Sequence, residues 1–163
     1  LRMITGPSYK YPVIGFTILN KNKQILGFEL QGTFDKVRFK GVTPDIINTN
    51  LGFNITIGQP KKAYFFESAI DLLSFYQLCK NNILNVPLNS SILVSMAGLK
   101  VNTLCNTLTA FKIHSEPYIC VDNDTAGANF KKSLRHQGIA FKNTEIPNNF
   151  KDWNEYLKYV ERA

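Results

Sequence analysis

The rhythm of hydrophobic and polar positions changes once along the chain, near residue 60. Before that point, short runs alternate apolar and polar side chains with a period of two. Pro12 to Leu19 and Ile25 to Leu30 read as two strands joined by the polar turn Asn20-Lys21-Asn22-Lys23. Lys36 to Lys40 with Gly52 to Ile57 reads as a second pair. After Gly58-Gln59-Pro60-Lys61-Lys62, apolar runs too short for helices alternate with longer segments of helical period. Ala63 to Phe66, Ile92 to Met96 and Tyr118 to Val121 are expected strands, with Gly138 to Phe141 a last one. Glu67 to Leu78, Val101 to Phe111, Asn129 to Gln137 and Trp153 to Val160 are expected helices, the last begun by Asp152. Repeated strand-helix units predict a parallel sheet with helices on its faces. The expected class is therefore α/β, with a β-rich lobe over residues 1–60 and a parallel sheet flanked by helices over 61–163.

Composition adds bounds to this picture. At 163 residues and 44% hydrophobic content, the chain can bury a core as one compact unit. No apolar run reaches the roughly 18 residues of a membrane helix and no secretory leader pattern opens the chain, so a cytoplasmic protein without a membrane partner is expected. The chain opens on Leu1 rather than Met, and a longer parent protein is expected. Cys79, Cys105 and Cys120 are widely spaced in apolar contexts, which suits small packed side chains better than a disulfide framework or a zinc site.

Charge separates the two halves. Residues 1–62 carry nine Lys/Arg against three acids, whereas the remainder is nearly balanced, with ten against nine. A basic lobe beside an acid-bearing one suits a polyanion held by one part and processed by the other, although a solvated basic surface explains the count about as well. Lys36, Arg38 and Lys40 alternate with Val37 and Phe39, so a strand there sends all three cations to one face. That strip is either a charge-protected edge or a phosphate-tracking surface.

Chemistry gathers at the strand ends. Asp122 and Asp124 follow Tyr118 to Val121 at once, Glu67 follows Ala63 to Phe66, and Gly98 follows Ile92 to Met96. Parallel strands bring their carboxyl ends to one edge, so Glu67, Asp122 and Asp124 are expected together despite 55 residues between the first two. Carboxylates gathered there repel one another unless a cation neutralises them, and oxygen-only ligands favour Mg²⁺ or Mn²⁺ over zinc. Asp71, one helical turn beyond Glu67, and Asp152, at a helix start, are further candidate ligands, each with the plain alternative of charging a helix N-terminus. At Gly98 a missing side chain lets a phosphate or the acid loop come close, and Gly127 lets the chain turn tightly into the next helix. An Asp-x-Asp after a strand also serves as a helix cap. An EF-hand loop fails, because Ser133 stands where a bidentate Glu is needed and a strand precedes it. A haloacid-dehalogenase phosphatase would want Thr or Val where Ala126 stands.

Phe66-Glu67-Ser68-Ala69-Ile70-Asp71, Ser95-Met96-Ala97-Gly98 and Val121-Asp122-Asn123-Asp124-Thr125-Ala126-Gly127, in that order, closely resemble the motifs of the Toprim domain. That domain is shared by DnaG-type primases, type IA and type II topoisomerases and certain nucleases. The wording around Glu67, with the later Lys151-Asp152-Trp153-Asn154-Glu155, is most similar to primase-like Toprim proteins of plasmids and conjugative elements. The resemblance implies Glu67 as general acid/base or metal ligand, Asp122 and Asp124 as Mg²⁺ ligands and Asp152 as the late acid. It departs at Ser68, where Gly is frequent, and at Asn154, where a second late acid is frequent. The implied function is Mg²⁺-dependent nucleotidyl transfer with single-stranded DNA and nucleoside triphosphates, beside other replication or conjugation proteins. The alternatives are phosphodiester chemistry of the nuclease or topoisomerase kind, or a non-catalytic nucleic-acid-binding module of a mobile element.

Overall fold

A computed structural model describes residues 1–6, 9–34, 39–44, 49–147 and 149–162. Four antiparallel strands form the N-terminal sheet in the order β1-β2-β3-β4, with β1 at Arg2–Gly6, β2 at Tyr9–Leu19, β3 at Ile25–Gly32 and β4 at Lys40–Val42. The expected hairpin is β2 with β3, in a register that sets Phe16 opposite Glu29 and Gly15 opposite Leu30. Phe16 and Ile18 turn toward the rest of the molecule and are fully buried there.

Among the described residues the second expected pair does not form. Lys40–Val42 pairs with β3, Lys40 standing opposite Gln31. Asn54–Ile57, strand β5, crosses instead to the other sheet. Its apolar positions Ile55 and Ile57 need cover on one face only, which suits a sheet edge, and they pack with the core under that sheet. Lys36 and Arg38 lie outside the described residues, so only Lys40 of the expected cationic strip is placed.

The second sheet has the order β5-β7-β6-β8-β9, with β6 at Lys62–Phe66, β7 at Ser91–Ser95, β8 at Tyr118–Ile119 and β9 at Lys142–Asn143. Strands β7, β6, β8 and β9 run parallel, and β5 is an antiparallel edge. Helices α1 (Ala69–Lys80), α2 (Val101–Ala110), α3 (Thr125–His136) and α4 (Trp153–Val160) complete the expected α/β architecture.

Strand alternation builds two cores from one sheet. Ala63, Phe65, Ile92, Val94, Ile119 and Val121 face Leu104 of α2 with Phe130 and Leu134 of α3. Tyr64, Phe66, Leu93 and Cys120 face Leu72, Phe75 and Leu78 of α1, Trp153 of α4, and Phe16 and Ile18 of the N-terminal sheet. Trp153 is fully buried, donates from Nε1 to the Cys120 carbonyl at 2.9 Å and meets the Phe75 ring edge-on at 4.9 Å. Cys120 is buried as expected and Cys79 half-buried, whereas Cys105 is exposed on α2.

Element starts shift where a side chain caps the backbone. The first helix begins after Glu67, because Ser68 is its N-cap and accepts from the Asp71 N–H. Helix α3 begins a turn earlier than expected, with the Asp124 carboxylate accepting the Gly127 N–H. It stops before Gly138, whose φ of +71° ends the helix, so the last strand forms at Lys142–Asn143 and not at Gly138 to Phe141.

Candidate metal and phosphate site at the sheet edge

Strand β6 pairs with β7 on one side and β8 on the other. The chain leaves β6 for β7, then crosses over to β8, so a crevice opens where the connections part, beyond the carboxyl ends of β6 and β8. Glu67 leaves the first of these strands and Asp122 the second.

Five carboxylates share this edge electrostatically. Burial, followed by the charges of Asp71, Glu67, Asp152 and Asp124 in that order, pushes Asp122 up to about 7. Glu67 is raised by burial and then by Asp124, with Lys40 opposing. Asp71 is 7% exposed and is raised by burial, with the Asp152 charge adding to it. The charges of all four acids thus bear on Asp122.

Each outer carboxylate is held by a protein partner. Asp124 Oδ1 accepts the Gly127 N–H at 2.9 Å while Oδ2 lies 3.6 Å from Lys151 Nζ. Asp152 caps α4, accepting the Glu155 N–H at 2.7 Å. Asp71 takes the Ser68 hydroxyl at 2.5 Å. The helix-cap reading of Asp124 and Asp152 thus holds alongside their place at the edge. Glu67 lies before α1, so it shares the edge with Asp71 through the β6 turn and not through a common helix face.

Two buried carboxylate oxygens, Glu67 Oε2 and Asp122 Oδ1, have no hydrogen-bond partner. Unpaired oxygens of this kind are costly in a protein interior, and a hard divalent cation satisfies them. The donor set is all oxygen and fits such an ion. Among the described residues no three Asp, Glu, His or Cys side chains stand close enough together to grip a cation. Asp71, Asp124 and Asp152 are each bonded to a protein group instead.

The two glycines answer different constraints. At Gly127 a Cβ would collide with the Asp122 carbonyl oxygen, so this glycine serves close packing of α3 under the acid loop and not a tight turn. Gly98 has φ +103°, and a Cβ there would meet nothing within 4 Å. Its backbone, and not a close protein neighbour, calls for glycine, and its N–H donates to the Glu67 carbonyl at 2.8 Å.

Three further residues belong to the site and carry weak sequence signals. Asn123 donates from its backbone to the Lys151 carbonyl at 2.8 Å, and from Nδ2 to the carbonyls of Ile146 at 3.0 Å and Phe150 at 3.1 Å. It thereby latches the Asp122–Asp124 loop to the segment bearing Asp152. Lys100, with Lys40, Glu67, Ser68 and Gly98, lines a cavity of about 250 Å³ between β4 and the strand ends. Glu29 lines its inner wall, and an acid between Phe28 and Leu30 in an apolar strand was the legible signal for it. A larger cleft of about 360 Å³ lies toward the opposite end, where β6 begins, among Lys21, Lys23, Pro60, Phe111 and Lys112, and carries no acid.

The sequence pattern of the Toprim-like family matches residues 64–157. The chain belongs to that family. A relative, the uncharacterised protein pXO2-78 of Bacillus anthracis, is 36% identical over 130 residues, covering 69% of this chain and 36% of its own. The chain thus spans about a third of that relative's length. Among solved structures, the primase fragment of the bacteriophage T7 primase-helicase protein superposes with a TM-score of 0.60 at 18% identity, over 93% of this chain and 60% of that one. A chain from the assembly of T7 lagging-strand DNA polymerase with primase domains of two gp4 subunits, bound to an RNA/DNA hybrid and dTTP, gives 0.63 at 18% identity, over 93% and 74%. At such identity the likeness concerns the fold, and the Toprim-like chain has the primase-fragment fold through both of its sheets. No helix among the described residues is long and apolar enough to cross a membrane.

Proposed function

We propose that this Toprim-like chain is the Mg²⁺- or Mn²⁺-dependent nucleotidyl-transfer core of a primase-like cytoplasmic protein acting on single-stranded DNA with nucleoside triphosphates. What supports the reading is the electrostatic coupling of Glu67, Asp122 and Asp124 at the crossover crevice, with two unpartnered carboxylate oxygens beside a lysine-lined cavity. Asp122, Asp124 and Asp152 would hold the cation, with Asp71 behind them, and the bound cation would supply positive charge against the phosphates and the departing pyrophosphate.

The chain's own groups do the remainder. Lys40 and Lys100 present ammonium groups to a triphosphate entering the cavity, and the open space above Gly98 admits it. Glu67, raised by burial and by Asp124, is suited to accept the proton of an attacking 3′-hydroxyl as its oxygen bonds to the α-phosphorus and the bond to pyrophosphate breaks. The latch by Asn123 keeps Asp122 and Asp152 in register during that exchange. Lys36 and Arg38, which lie outside the described residues, continue the strip in sequence as further template contacts. Over residues 1–60 the basic lobe serves as the strand-holding part and over 61–163 the Toprim part as the chemical one, with β5 stitching the first to the second.

Incubation with single-stranded DNA, ribonucleotides and Mg²⁺ or Mn²⁺ tests the proposal. Short primers are expected, and both Asp122→Asn and Asp124→Asn should abolish them, since Asn preserves a helix cap while removing the charge. Cleaved DNA would favour the nuclease class instead, a bound complex alone would favour a non-catalytic module, and primers from either variant would overturn the assignment.

A further inference from the structure

The function proposed above gives no role to Glu29, yet β3 sends this charged side chain into the interior. Glu29 stands opposite Phe16 in the antiparallel register and is 7% exposed. A carboxylate at such depth is unfavourable unless donors surround it. Its Oε1 accepts the backbone N–H of Ala69 at 3.1 Å, and the Ser95 side chain and the charges of Lys100 and Lys40 favour its ionised form against burial. Oε2 has no hydrogen-bond partner.

These contacts have a pattern. Ala69 opens α1 immediately after Glu67-Ser68, and Ser95 ends β7 just before Met96-Ala97-Gly98. The first N–H groups of a helix lack partners within it, and here they are shared out: Ser68 Oγ takes that of Asp71, Glu29 that of Ala69. From the other side, the Gly98 N–H holds the Glu67 carbonyl at 2.8 Å. The turn carrying Glu67 is therefore gripped from β7 and from a strand of the other sheet, 40 residues distant in sequence from Ala69.

We propose that Glu29 is a positioning residue, which fastens the Glu67 turn to the N-terminal sheet so that the acidic edge keeps its arrangement only while β3 is seated against α1. The inference rests on the reading of that edge as a divalent-cation site. Lys40, opposite Gln31 on the neighbouring strand, belongs to the same rigid piece, so a strand held by the basic lobe bears on Glu67 through Glu29.

The test measures Mn²⁺ affinity by titration, and amide exchange at Ala69 and Gly98 by NMR, on the full chain. Glu29→Asp withdraws the acceptor by one methylene, Glu29→Gln keeps length and an acceptor, and Ala69→Pro removes the donor at a first-helical position preceded by extended Ser68, where proline fits. Asn54→Ala is the control, because it breaks another contact between the sheets, Asn54 Nδ2 to the Leu19 carbonyl at 2.8 Å. Glu29→Asp should bind Mn²⁺ about tenfold more weakly and exchange Ala69 about tenfold faster, while Glu29→Gln stays within about twofold of the parent. Ala69→Pro should weaken Mn²⁺ as Glu29→Asp does, and decides the matter should Glu29→Asp fail to fold. Parental Mn²⁺ affinity in Ala69→Pro, unchanged exchange in Glu29→Asp, or equal weakening by Asn54→Ala would overturn the proposal. If the parent itself binds no Mn²⁺, the metal reading fails separately, and Ala69 exchange in Glu29→Asp still supports or overturns the role of Glu29.

Discussion

Asp122 holds its proton to about pH 7 because burial and four neighbouring carboxylates disfavour its charge. An unfolded chain releases that proton near the ordinary 3.8, so between the two values the native state binds more protons than the unfolded one. Stability of the metal-free protein should therefore fall as pH rises through that window and level off above it; the raised carboxyls of Glu29, Glu67 and Asp71 act in the same direction. Added Mg²⁺ favours the ionised form, so thermal unfolding should show greater protection at about pH 8 than at about pH 5, and Asp122→Asn should remove most of the difference. Equal protection at both would sink the picture of a metal site built on Asp122. At this scale the acids themselves were legible, because carboxylates directly after apolar runs stand out. Asn123 was not, since a latch through three backbone carbonyls depends on where residues 146–151 come to lie.

The elements owe their ends to caps and their middles to alternation. Tyr64 and Phe66 turn to one face of β6 and Ala63 and Phe65 to the other, which is what a strand covered on both sides requires. Helix α4 is short, and Trp153 is its one fully buried side chain among the described residues, with Tyr156, Leu157 and Val160 packed beside it. Trp153→Ala should destabilise the protein by about 3–5 kcal/mol in denaturant unfolding, since it empties a site walled by Phe75 and leaves the Cys120 carbonyl without its donor. A loss below about 1 kcal/mol would mean that α4 is not part of the cooperative core. Helix existence was readable from period, whereas the starts of α1 and α3 were not, because Ser68 and Asp124 claim backbone N–H groups that sequence period alone does not assign. Strand β5 was readable as a strand, but its partner was not. Pairing is a non-local choice between two sheet edges.

At the scale of the molecule, the chain's net charge of +7 lies almost wholly in residues 1–62. Single-stranded DNA binding should accordingly weaken steeply with salt, and Lys40→Ala and Lys100→Ala should each lower the slope of log affinity against log salt by about 0.7, irrespective of base sequence. Fluorescence anisotropy at several salt concentrations reads this directly, and an unchanged slope in both variants would remove the cavity from the binding path. The sequence by itself determined the α/β class, the Toprim motifs and the acids at two strand ends, because strand alternation, helical period and residue type are local properties. Only the tertiary structure decided that β5 leaves the first sheet for the second, that Asp124 and Asp152 are caps as well as edge acids, and that Glu29 reaches Ala69 across the two sheets. Each of those depends on which surfaces are buried against which, and burial is a property of the assembled chain.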